Sequence, residues 1–370
     1  MKVVQVLPAL EVGGVERGTL DIAKALVEAG HESVVISAGG RLVTQLEQDG
    51  SRHVLWDIGK KSLLTFFKFW AFRKWLRKEQ PDIVHVRSRM PAWVVWLAWR
   101  GMPKSERPKF ITTLHGMHSV NWYSAIMAKG ERVICVSETC KKYLFDNYKV
   151  DNPEKVTVIH RGIDEEYFYR GFKPTEEWRE KFFGEHPDCI DKKLICFPGR
   201  ITRWKGHLEL VKVVEELAKQ RADFKVLVVG SDSKGKFLAE VQSAIQGKGL
   251  EQFFVFLGTR SDIRELYSIS DVSLSLTSTT AESFGRAVVE SLALGTPVVA
   301  YEHGAVKETL DACFPEGKVE VNDINILRNK VGLVFDGLLA NDQSIPLAFT
   351  LKHQKNLTIN LYRSLRSITI

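Results

Sequence analysis

The sequence predicts an α/β protein in which helices alternate with the strands of parallel sheets. Short runs rich in Val, Ile, Leu and Phe recur at intervals that leave room for a helix between neighbours. These runs are apolar along their whole length, which is typical of parallel strands covered by helices on both faces. The chain has 370 residues, and at roughly 150 residues per domain this length predicts two domains.

The first half contains six predicted strands, at residues 3–7, 34–37, 83–86, 110–114, 132–136 and 156–160. The second half contains five, at residues 194–198, 225–230, 253–257, 272–276 and 297–301. Amphipathic patterns between the strands predict helices at 15–28, 138–147, 207–219, 262–268 and 287–294. We therefore expect two Rossmann-like domains that face each other across a cleft, with ligands at the carboxyl ends of the strands.

The stretch from 165 to 191 interrupts this pattern with charged, aromatic and Pro residues. It predicts an N-terminal domain at 1–165, a linker at 166–191 and a C-terminal domain at 192–348. Residues 1–165 carry 25 Lys and Arg against 18 Asp and Glu, so the whole surplus of the chain, +7, lies in the predicted first domain. A surplus of this size suits an anionic ligand or membrane surface, and no recognised nucleic-acid-binding motif accompanies it.

Composition excludes several classes of protein. With 44% hydrophobic residues the chain is too apolar to be disordered. Its five Cys include no C-x-x-C pair, which argues against a disulfide framework or zinc site and makes a reducing cytoplasm the default expectation. The longest apolar stretch, 92–99, is far shorter than a membrane span, and the N-terminal apolar run is too short for a secretory signal.

Two glycines, Gly13 and Gly14, follow the first predicted strand and open the first predicted helix. Glycine lets the backbone approach a ligand, and the N–H groups at a helix start attract anions. The spacing matches neither the dinucleotide fingerprint nor the phosphate loop of nucleotide hydrolases. A tight strand-to-helix turn explains the glycines equally well.

Arg200 and Lys205 follow the first strand of the second half in the run PGRITRWKG. A guanidinium fork and an ammonium charge at a strand end are suited to holding a diphosphate. The competing interpretation is a loop with solvated basic residues.

A third loop carries Glu282, Phe284 and Gly285, and the helix after it carries Glu290. Backbone N–H groups near Phe284 and Gly285 can bind phosphate, the Glu290 carboxylate can accept both ribose hydroxyls, and Glu282 can hold a sugar. An ordinary helix with acidic residues in its first turns is the alternative.

His115 ends another strand, beside a Gly turn, which is a plausible place for a residue that contacts substrate. A lone His is more often structural, and His118 is a weaker candidate. Arg87 and Arg89 follow the strand at 83–86 and could contact an anionic acceptor or be exposed charges.

Taken together, these segments resemble the retaining glycosyltransferases of family 4 (GT4), which have the GT-B fold. The matching runs extend in family order from residue 3 to about residue 310: GGVER (13–17), DIVHVRSR (82–89), TTLHG (112–116), VICVSE (133–138), VIHRGID (158–164), PGRITRWKG (198–206), ESFGRAVVESLALGTPVVA (282–300) and HGAVKE (303–308). The fit is closest to bacterial members linked to lipopolysaccharide and cell-envelope glycans. The resemblance weakens after residue 310 and returns in the last helix, 349–370, which in the family crosses back onto the first domain.

The resemblance implies a role for each residue of the predicted site. Gly13 and Gly14 approach the donor, Arg200 and Lys205 neutralise its diphosphate, and the Phe284 and Gly285 amides face the sugar and phosphates. Glu290 binds the ribose. Glu282 contacts the transferred sugar, and His115 lies beside it.

The implied reaction moves a sugar from a nucleotide diphosphate sugar to an acceptor hydroxyl with retention of configuration. No cofactor is expected, and the absence of a D-x-D motif fits chemistry without a bound metal. Two other functions remain open: a sugar-nucleotide epimerase on the same fold, and a catalytically silent subunit that binds sugar nucleotide. A silent subunit would be expected to lack some of the charged or titratable residues of the donor site. All five are present, namely His115, Arg200, Lys205, Glu282 and Glu290, which argues against that function.

The segment that begins at Lys60 and ends at Lys78, called here the basic aromatic segment, carries seven Lys and Arg and no acidic residue. It predicts a helix that could lie on an anionic bilayer, placing the protein at the inner face of the cytoplasmic membrane. The alternative is a helix that packs Leu64, Phe67, Ala71 and Trp75 onto the sheet and leaves a solvated basic face.

Overall fold

A computed structural model describes residues 1–11, 13–232 and 235–367. The chain forms two compact units: unit 1 is Met1–Gly162 with Leu351–Ile370, and unit 2 is Ile163–Thr350. Val12 of the predicted glycine loop and residues 368–370 of the predicted last helix lie outside the described residues. Each unit is an α/β domain with a parallel sheet, so the predicted fold class is confirmed.

The sheet of unit 1 has seven strands in the described residues, in the order β3-β2-β1-β4-β5-β6-β7. Their bounds are β1 Lys2–Val6, β2 Glu32–Ser37, β3 Arg52–Leu55, β4 Ile83–Val86, β5 Lys109–Leu114, β6 Arg132–Cys135 and β7 Val156–Val158. The α-helices, numbered along the whole chain, are α1 Gly14–Glu28, α2 Val43–Gln48, α3 Leu63–Phe67, α4 Phe69–Glu79, α5 Arg89–Arg100, α6 Glu138–Asn147 and α14 Leu351–Ser367.

The sheet of unit 2 has six strands in the described residues, in the order β10-β9-β8-β11-β12-β13. Their bounds are β8 Lys193–Pro198, β9 Phe224–Val229, β10 Phe254–Gly258, β11 Val272–Ser275, β12 Val298–Tyr301 and β13 Lys318–Val319. The α-helices are α7 Glu176–Glu185, α8 His207–Ala218, α9 Lys236–Gln246, α10 Ile263–Ile269, α11 Arg286–Leu294, α12 Ala305–Cys313 and α13 Ile324–Phe335.

The predicted linker is wrong in one respect, because residues 166–191 belong to unit 2. Phe168, Phe182 and Cys189 are buried in the same apolar cluster as residues of β8 and α11. Arg264 of α10 also lies against the rings of Tyr167 and Phe172, at 3.9 and 3.7 Å from their centroids. The charged and aromatic residues that suggested a hinge therefore attach this stretch to unit 2.

Helix α14 covers one face of the unit 1 sheet. Its Ile359, Tyr362 and Leu365 are buried in a cluster with residues of β1, α1, β4, β5 and β6. The ring of Tyr362 is fully buried, and its hydroxyl lies 2.6 Å from Nδ1 of His85 on β4. Nε2 of His85 lies 2.5 Å from the Thr113 hydroxyl. Apolar packing and the buried hydrogen bonds among Tyr362, His85 and Thr113 thus hold the last helix against the rest of unit 1.

The basic aromatic segment forms two helices, α3 and α4, which meet at Lys68. The predicted buried stripe is displaced by one position: Thr65, Phe72 and Leu76 are buried and Phe69 packs against the core. Of the predicted residues, Leu64, Phe67 and Ala71 are exposed, and Trp75 is partly buried. Three large apolar side chains face solvent, with exposed fractions of 75% for Leu64, 66% for Phe67 and 62% for Trp70. None of the helices in the described part of the chain has the length and apolar character to cross a bilayer.

We expect Tyr362→Phe to lower the free energy of unfolding of unit 1 by about 1–3 kcal/mol, because it leaves a buried His85 nitrogen without its partner. Seven of the nine Trp residues belong to unit 1, so Trp fluorescence during urea unfolding reports mainly on this unit. Tyr169→Phe is the matched control, since that ring is 47% exposed. Equal urea midpoints for the two variants would contradict the role given to the Tyr362 hydroxyl.

Candidate active site

Parallel pairing brings the loops of unit 1 that carry candidate residues to one edge of its sheet. Strands β1, β4 and β5 are neighbours, so the segments that follow them begin side by side. Arg87 directly follows β4, His115 directly follows β5, and Gly13 precedes α1, which begins at Gly14. The unit 1 candidates therefore lie at the carboxyl edge, where ligands bind in such sheets.

His115 is held by a charged neighbour from the end of β7. Nη2 of Arg161 lies 2.8 Å from Nδ1 of His115. Burial, followed by the charges of Arg161 and Arg87, lowers the pKa of His115 well below its usual value. The imidazole is therefore neutral at pH 7. Sequence reasoning did not assign Arg161 a role, although VIHRGID was among the matched runs.

Gly13 and Gly14 lie against different side chains. A Cβ on Gly14 would lie 2.9 Å from Nη1 of Arg161, so the missing side chain makes room for the guanidinium. A Cβ on Gly13 would meet only the carboxylate end of the flexible Glu16 side chain. The backbone of Gly13 is extended, with φ 177°, a conformation open to any residue. At either position a side chain would require the end of a flexible neighbour to move, the Glu16 carboxylate at 13 and the Arg161 guanidinium at 14.

Arg87 is buried, so the interpretation of this residue as an exposed charge is wrong. Its Nε and Nη2 donate to Oε1 of Gln5, at 2.9 and 2.6 Å. Gln5 in turn donates to the backbone oxygen of Thr19 in α1. Arg87 thus ties β1 and α1 to the end of β4 and places a positive charge beneath the carboxyl edge.

Arg89 is the first residue of α5 and is partly exposed. Its Nη1 donates to the Ser124 hydroxyl at 3.0 Å, and its guanidinium lies 5.3 Å from the ring centroid of Tyr123. Of the two arginines predicted for an anionic acceptor, Arg89 is therefore the one that solvent can reach.

In unit 2, an ion pair joins two loops at the carboxyl edge. Nζ of Lys205, in the loop after β8, lies 2.6 Å from Oε1 of Glu282, in the loop after β11. Both side chains are largely removed from water, with exposed fractions of 18% and 15%. The Thr277 hydroxyl also donates to Oε1 of Glu282, at 3.1 Å. Two residues that were predicted separately are thus in direct contact.

The loop of Glu282 is fixed by a glycine that sequence reasoning left without a role. Gly304 has φ +64°, and a Cβ there would lie 2.7 Å from the Ala281 Cβ and 3.0 Å from the Glu282 nitrogen. The next residue, Ala305, donates its N–H to the Glu282 oxygen. A larger residue at 304 would displace the backbone that carries Glu282.

Helix α11 presents its N-terminus beside the same ion pair. Gly285, its N-cap, lines a small cavity together with Pro198, Lys205 and Glu282. The Phe284 side chain is buried in the core, so only its backbone can face a ligand. The amides of this first turn can therefore meet an anion at the position that Lys205 also reaches.

Glu290 lies one turn further into α11 and is 9% exposed. Burial raises the pKa of its carboxyl, and the Arg286 guanidinium, whose Nε is 2.7 Å from Oε1, opposes this shift. Sequence reasoning missed Arg286, although i,i+4 spacing on a helix could have suggested it.

Arg200 is exposed, and its guanidinium has neither a hydrogen bond nor an ion pair with the residues that the structure describes. Across those same residues, no group of three or more His, Cys, Asp and Glu side chains is arranged to hold a metal ion.

Two family models match the chain in succession. Glycosyltransferase Family 4 matches residues 12–167, and Glycosyl transferases group 1 matches residues 179–324. The first covers most of the N-terminal segment of unit 1 and ends a few residues into unit 2, and the second lies within unit 2.

Known proteins resemble the chain over nearly its whole length. A solved glycosyltransferase from Rickettsia africae is 32% identical, with a TM-score of 0.84 and 98% of each chain covered. HepE from Anabaena, solved with UDP and glucose, shares the fold at 20% identity, with a TM-score of 0.80 and 98% of this chain and all of that one covered. The phosphatidylinositol N-acetylglucosaminyltransferase GPI3 subunit of Saccharomyces cerevisiae is 23% identical, with 86% of this chain and 74% of the yeast chain covered.

The two parallel-sheet domains match GT-B structures, and the relative from Rickettsia africae is similar over the full length. The chain belongs to the glycosyltransferases of the family 4 and group 1 type.

Proposed function

We propose that the protein transfers a sugar from a nucleotide diphosphate sugar to the hydroxyl of a glycan or glycolipid acceptor, with retention of anomeric configuration. The observation that carries this proposal is the contact of Lys205 with Glu282 beside the N-terminus of α11. It unites a cation, a carboxylate and free backbone amides at one strand edge. These groups match a diphosphate and a sugar hydroxyl in charge and in hydrogen bonding.

Unit 2 holds the nucleotide in this proposal. Lys205 and the exposed Arg200 grip the diphosphate, the Phe284 and Gly285 amides bind its oxygens, and Glu290 accepts the ribose hydroxyls. When the glycosidic bond breaks, negative charge builds on the leaving diphosphate while the sugar becomes oxocarbenium-like. Cations and amides already aimed at that charge stabilise the transition state more than the ground state.

Unit 1 contributes the residues that contact the transferred sugar and the acceptor. His115, neutral at pH 7, contacts the transferred sugar, and Gly13 and Gly14 bring the backbone close to it. Arg89 meets negative charge on the acceptor, and Arg87 orients β1 and α1 from beneath. The acceptor's proton passes to an oxygen of the leaving diphosphate, so no protein base is assigned. The proposal includes no metal, because the sequence lacks a D-x-D motif.

Two relatives support the classes of substrate. HepE binds UDP and glucose, which supports a nucleotide sugar as donor. The yeast relative is named for phosphatidylinositol, which supports an acceptor linked to lipid. With the sequence resemblance to lipopolysaccharide enzymes, this favours a role in lipopolysaccharide or other cell-envelope glycan synthesis.

We further propose that the protein is cytoplasmic and that unit 1 rests on the anionic inner face of the cytoplasmic membrane through the basic aromatic segment. Leu64, Phe67 and Trp70 present apolar surface to solvent. The Lys and Arg residues of the segment flank them, at 60 and 61, at 68, and at 73, 74, 77 and 78. Aromatic side chains favour the headgroup region, while Lys and Arg are attracted to lipid phosphates. A lipid-linked acceptor would then reach the enzyme by lateral diffusion in the membrane.

Replacing Lys205 tests the diphosphate grip. We expect Lys205→Met to lower kcat/KM for the donor by roughly 100- to 1,000-fold, since it removes one stabiliser of the charge on the leaving group. Transfer is followed by chromatography of the glycosylated acceptor. Lys212→Met, at an exposed position on α8, is the matched control. If Lys205→Met kept the activity of that control with an unchanged melting temperature, the grip would be assigned wrongly.

Glu290→Gln should separate stability from function. Folding raises the pKa of this carboxyl, so its charged form destabilises the folded state as pH rises from the unfolded-state pKa through the folded-state pKa. We expect the variant to melt no lower than the wild type at pH 8, while its affinity for the donor falls roughly 10- to 100-fold through loss of a charged acceptor. Calorimetric titration and thermal melting measure the two effects. Glu251→Gln, exposed in unit 2, serves as control; unchanged donor affinity in Glu290→Gln would exclude the ribose role.

Membrane contact is tested by flotation with liposomes that contain phosphatidylglycerol. We expect the wild type to float, added salt to weaken binding through screening, and the double variant Phe67→Ser/Trp70→Ser to remain at the bottom of the gradient. Leu338→Ser/Leu347→Ser removes side chains that are 74% and 67% exposed in unit 2 and should float as the wild type does. Equal loss in both double variants would mean that exposed apolar surface in general, rather than this segment, is responsible.

A further inference from the structure

Arg161 and His115 come from strands that are not adjacent. His115 ends β5, Arg161 follows β7, and β6 lies between those strands. The Arg161 side chain nevertheless reaches the imidazole, with Nη2 2.8 Å from Nδ1. An extended side chain is needed to span that separation, and only a long basic residue can bring a charge across it.

The direction of this hydrogen bond follows from chemistry. A guanidinium keeps its protons at all relevant pH values and has no acceptor, so Arg161 must donate. Nδ1 of His115 must then carry the lone pair. In a neutral imidazole the single ring proton therefore sits on Nε2.

The opening of α1 is built around the same guanidinium. A Cβ on Gly14 would come within 2.9 Å of Nη1 and within 3.8 Å of Cζ of Arg161. Any larger residue at position 14 would press Arg161 away from the place where it reaches His115. Gly14, which the sequence suggests as a point of close approach to a ligand, therefore also leaves space for the Arg161 guanidinium.

Four charged or titratable groups face His115: Arg161, Arg87, His85 and His118. Burial, which is the largest cause, and the charges of these groups all lower the pKa of His115. His85 and His118 are themselves shifted toward the neutral form by burial. The two arginines are therefore the permanent charges that oppose protonation of His115.

We propose that Arg161 is a positioning residue that holds His115 as the neutral tautomer with the proton on Nε2. The ring then offers a hydrogen-bond donor to a sugar oxygen and does not act as a cation or a base. This inference rests on the proposed function only in assigning the sugar as the partner of Nε2. The tautomer itself is a property of the protein alone.

The tautomer is measured by nitrogen NMR of the full chain with ¹⁵N in its histidine rings. The chain has ten His, and His115→Gln identifies the signals of interest by their loss. We expect the wild type to show an unprotonated Nδ1 and a protonated Nε2 at pH 7. A protonated Nδ1 in the wild type would overturn the inference directly, without any variant.

Three variants separate the contact from general structure. Arg161→Met removes the donor and the charge, and we expect both tautomers to appear and His115 to become protonated at a higher pH than in the wild type. Arg161→Lys keeps a charge and a donor of similar reach and should restore the wild-type signals. Arg132→Gln, at the opposite end of β6, should match the wild type. If Arg161→Met left both tautomer and protonation unchanged, the inference would fall. Should that variant fail to fold, Gly14→Ala displaces the same guanidinium and is expected to act in the same direction.

Activity gives a separate readout. We expect the acid limb of the pH profile for transfer to move upward in Arg161→Met and to return in Arg161→Lys, because protonation at Nδ1 of His115 adds a positive charge to the site and removes the acceptor that orients the ring. Wild-type transfer combined with a protonated Nδ1 would refute only the inference. The expected tautomer in a protein that transfers no sugar from any nucleotide diphosphate sugar would refute only the proposed function.

Discussion

Parallel strand pairing is the constraint on which the rest of this structure depends. Strands that run in one direction must be joined by crossovers, so helices cover both faces and every strand ends at the same edge of its sheet. The loops that carry chemistry in each unit are therefore brought together whatever their distance in sequence. Lys205 and Glu282 are 77 residues apart and form one ion pair because β8 and β11 are neighbours.

Both units keep charges where burial is costly. A largely buried ion pair such as Lys205 with Glu282 rarely adds net stability over an apolar pair, because each ion loses its hydration. Arg87 is buried against the neutral amide of Gln5, and Glu290 is buried with its pKa raised. These costs are understandable if the charges act on a ligand. The apolar clusters of each unit, and the α14 helix with its buried Tyr362, supply the stability that offsets them.

The sequence predicts the strands and helices that have strong apolar patterns, because those patterns record burial directly. It misses β3, a four-residue edge strand whose two ends are exposed and whose pattern is therefore weak. It also misplaces the buried face of the basic aromatic segment by one position, since apolar side chains surround these helices and more than one stripe fits the same period.

Some residues of the candidate site could be predicted from the sequence and others could not. His115 and Lys205 could be proposed because each follows a predicted strand, and Glu290 because it lies near the start of a predicted helix in a run that resembles the family. Arg161, Thr277 and Gly304 could not, since their roles are relations to distant residues: a guanidinium on an imidazole, a hydroxyl on a carboxylate, and a backbone that leaves space for another. Those relations require coordinates. Arg286 is the exception, because helical spacing places it next to Glu290.

The central claim is that Lys205 binds the diphosphate of a donor nucleotide. The most direct test is to measure, by calorimetry, the affinities of the wild type and Lys205→Met for a nucleoside diphosphate and for its monophosphate. The nucleotide base used is the one that raises the melting temperature of the protein most. The account predicts that the wild type prefers the diphosphate at least tenfold and that the variant loses most of this preference while still binding the monophosphate. An equal preference for the diphosphate in both proteins would contradict it.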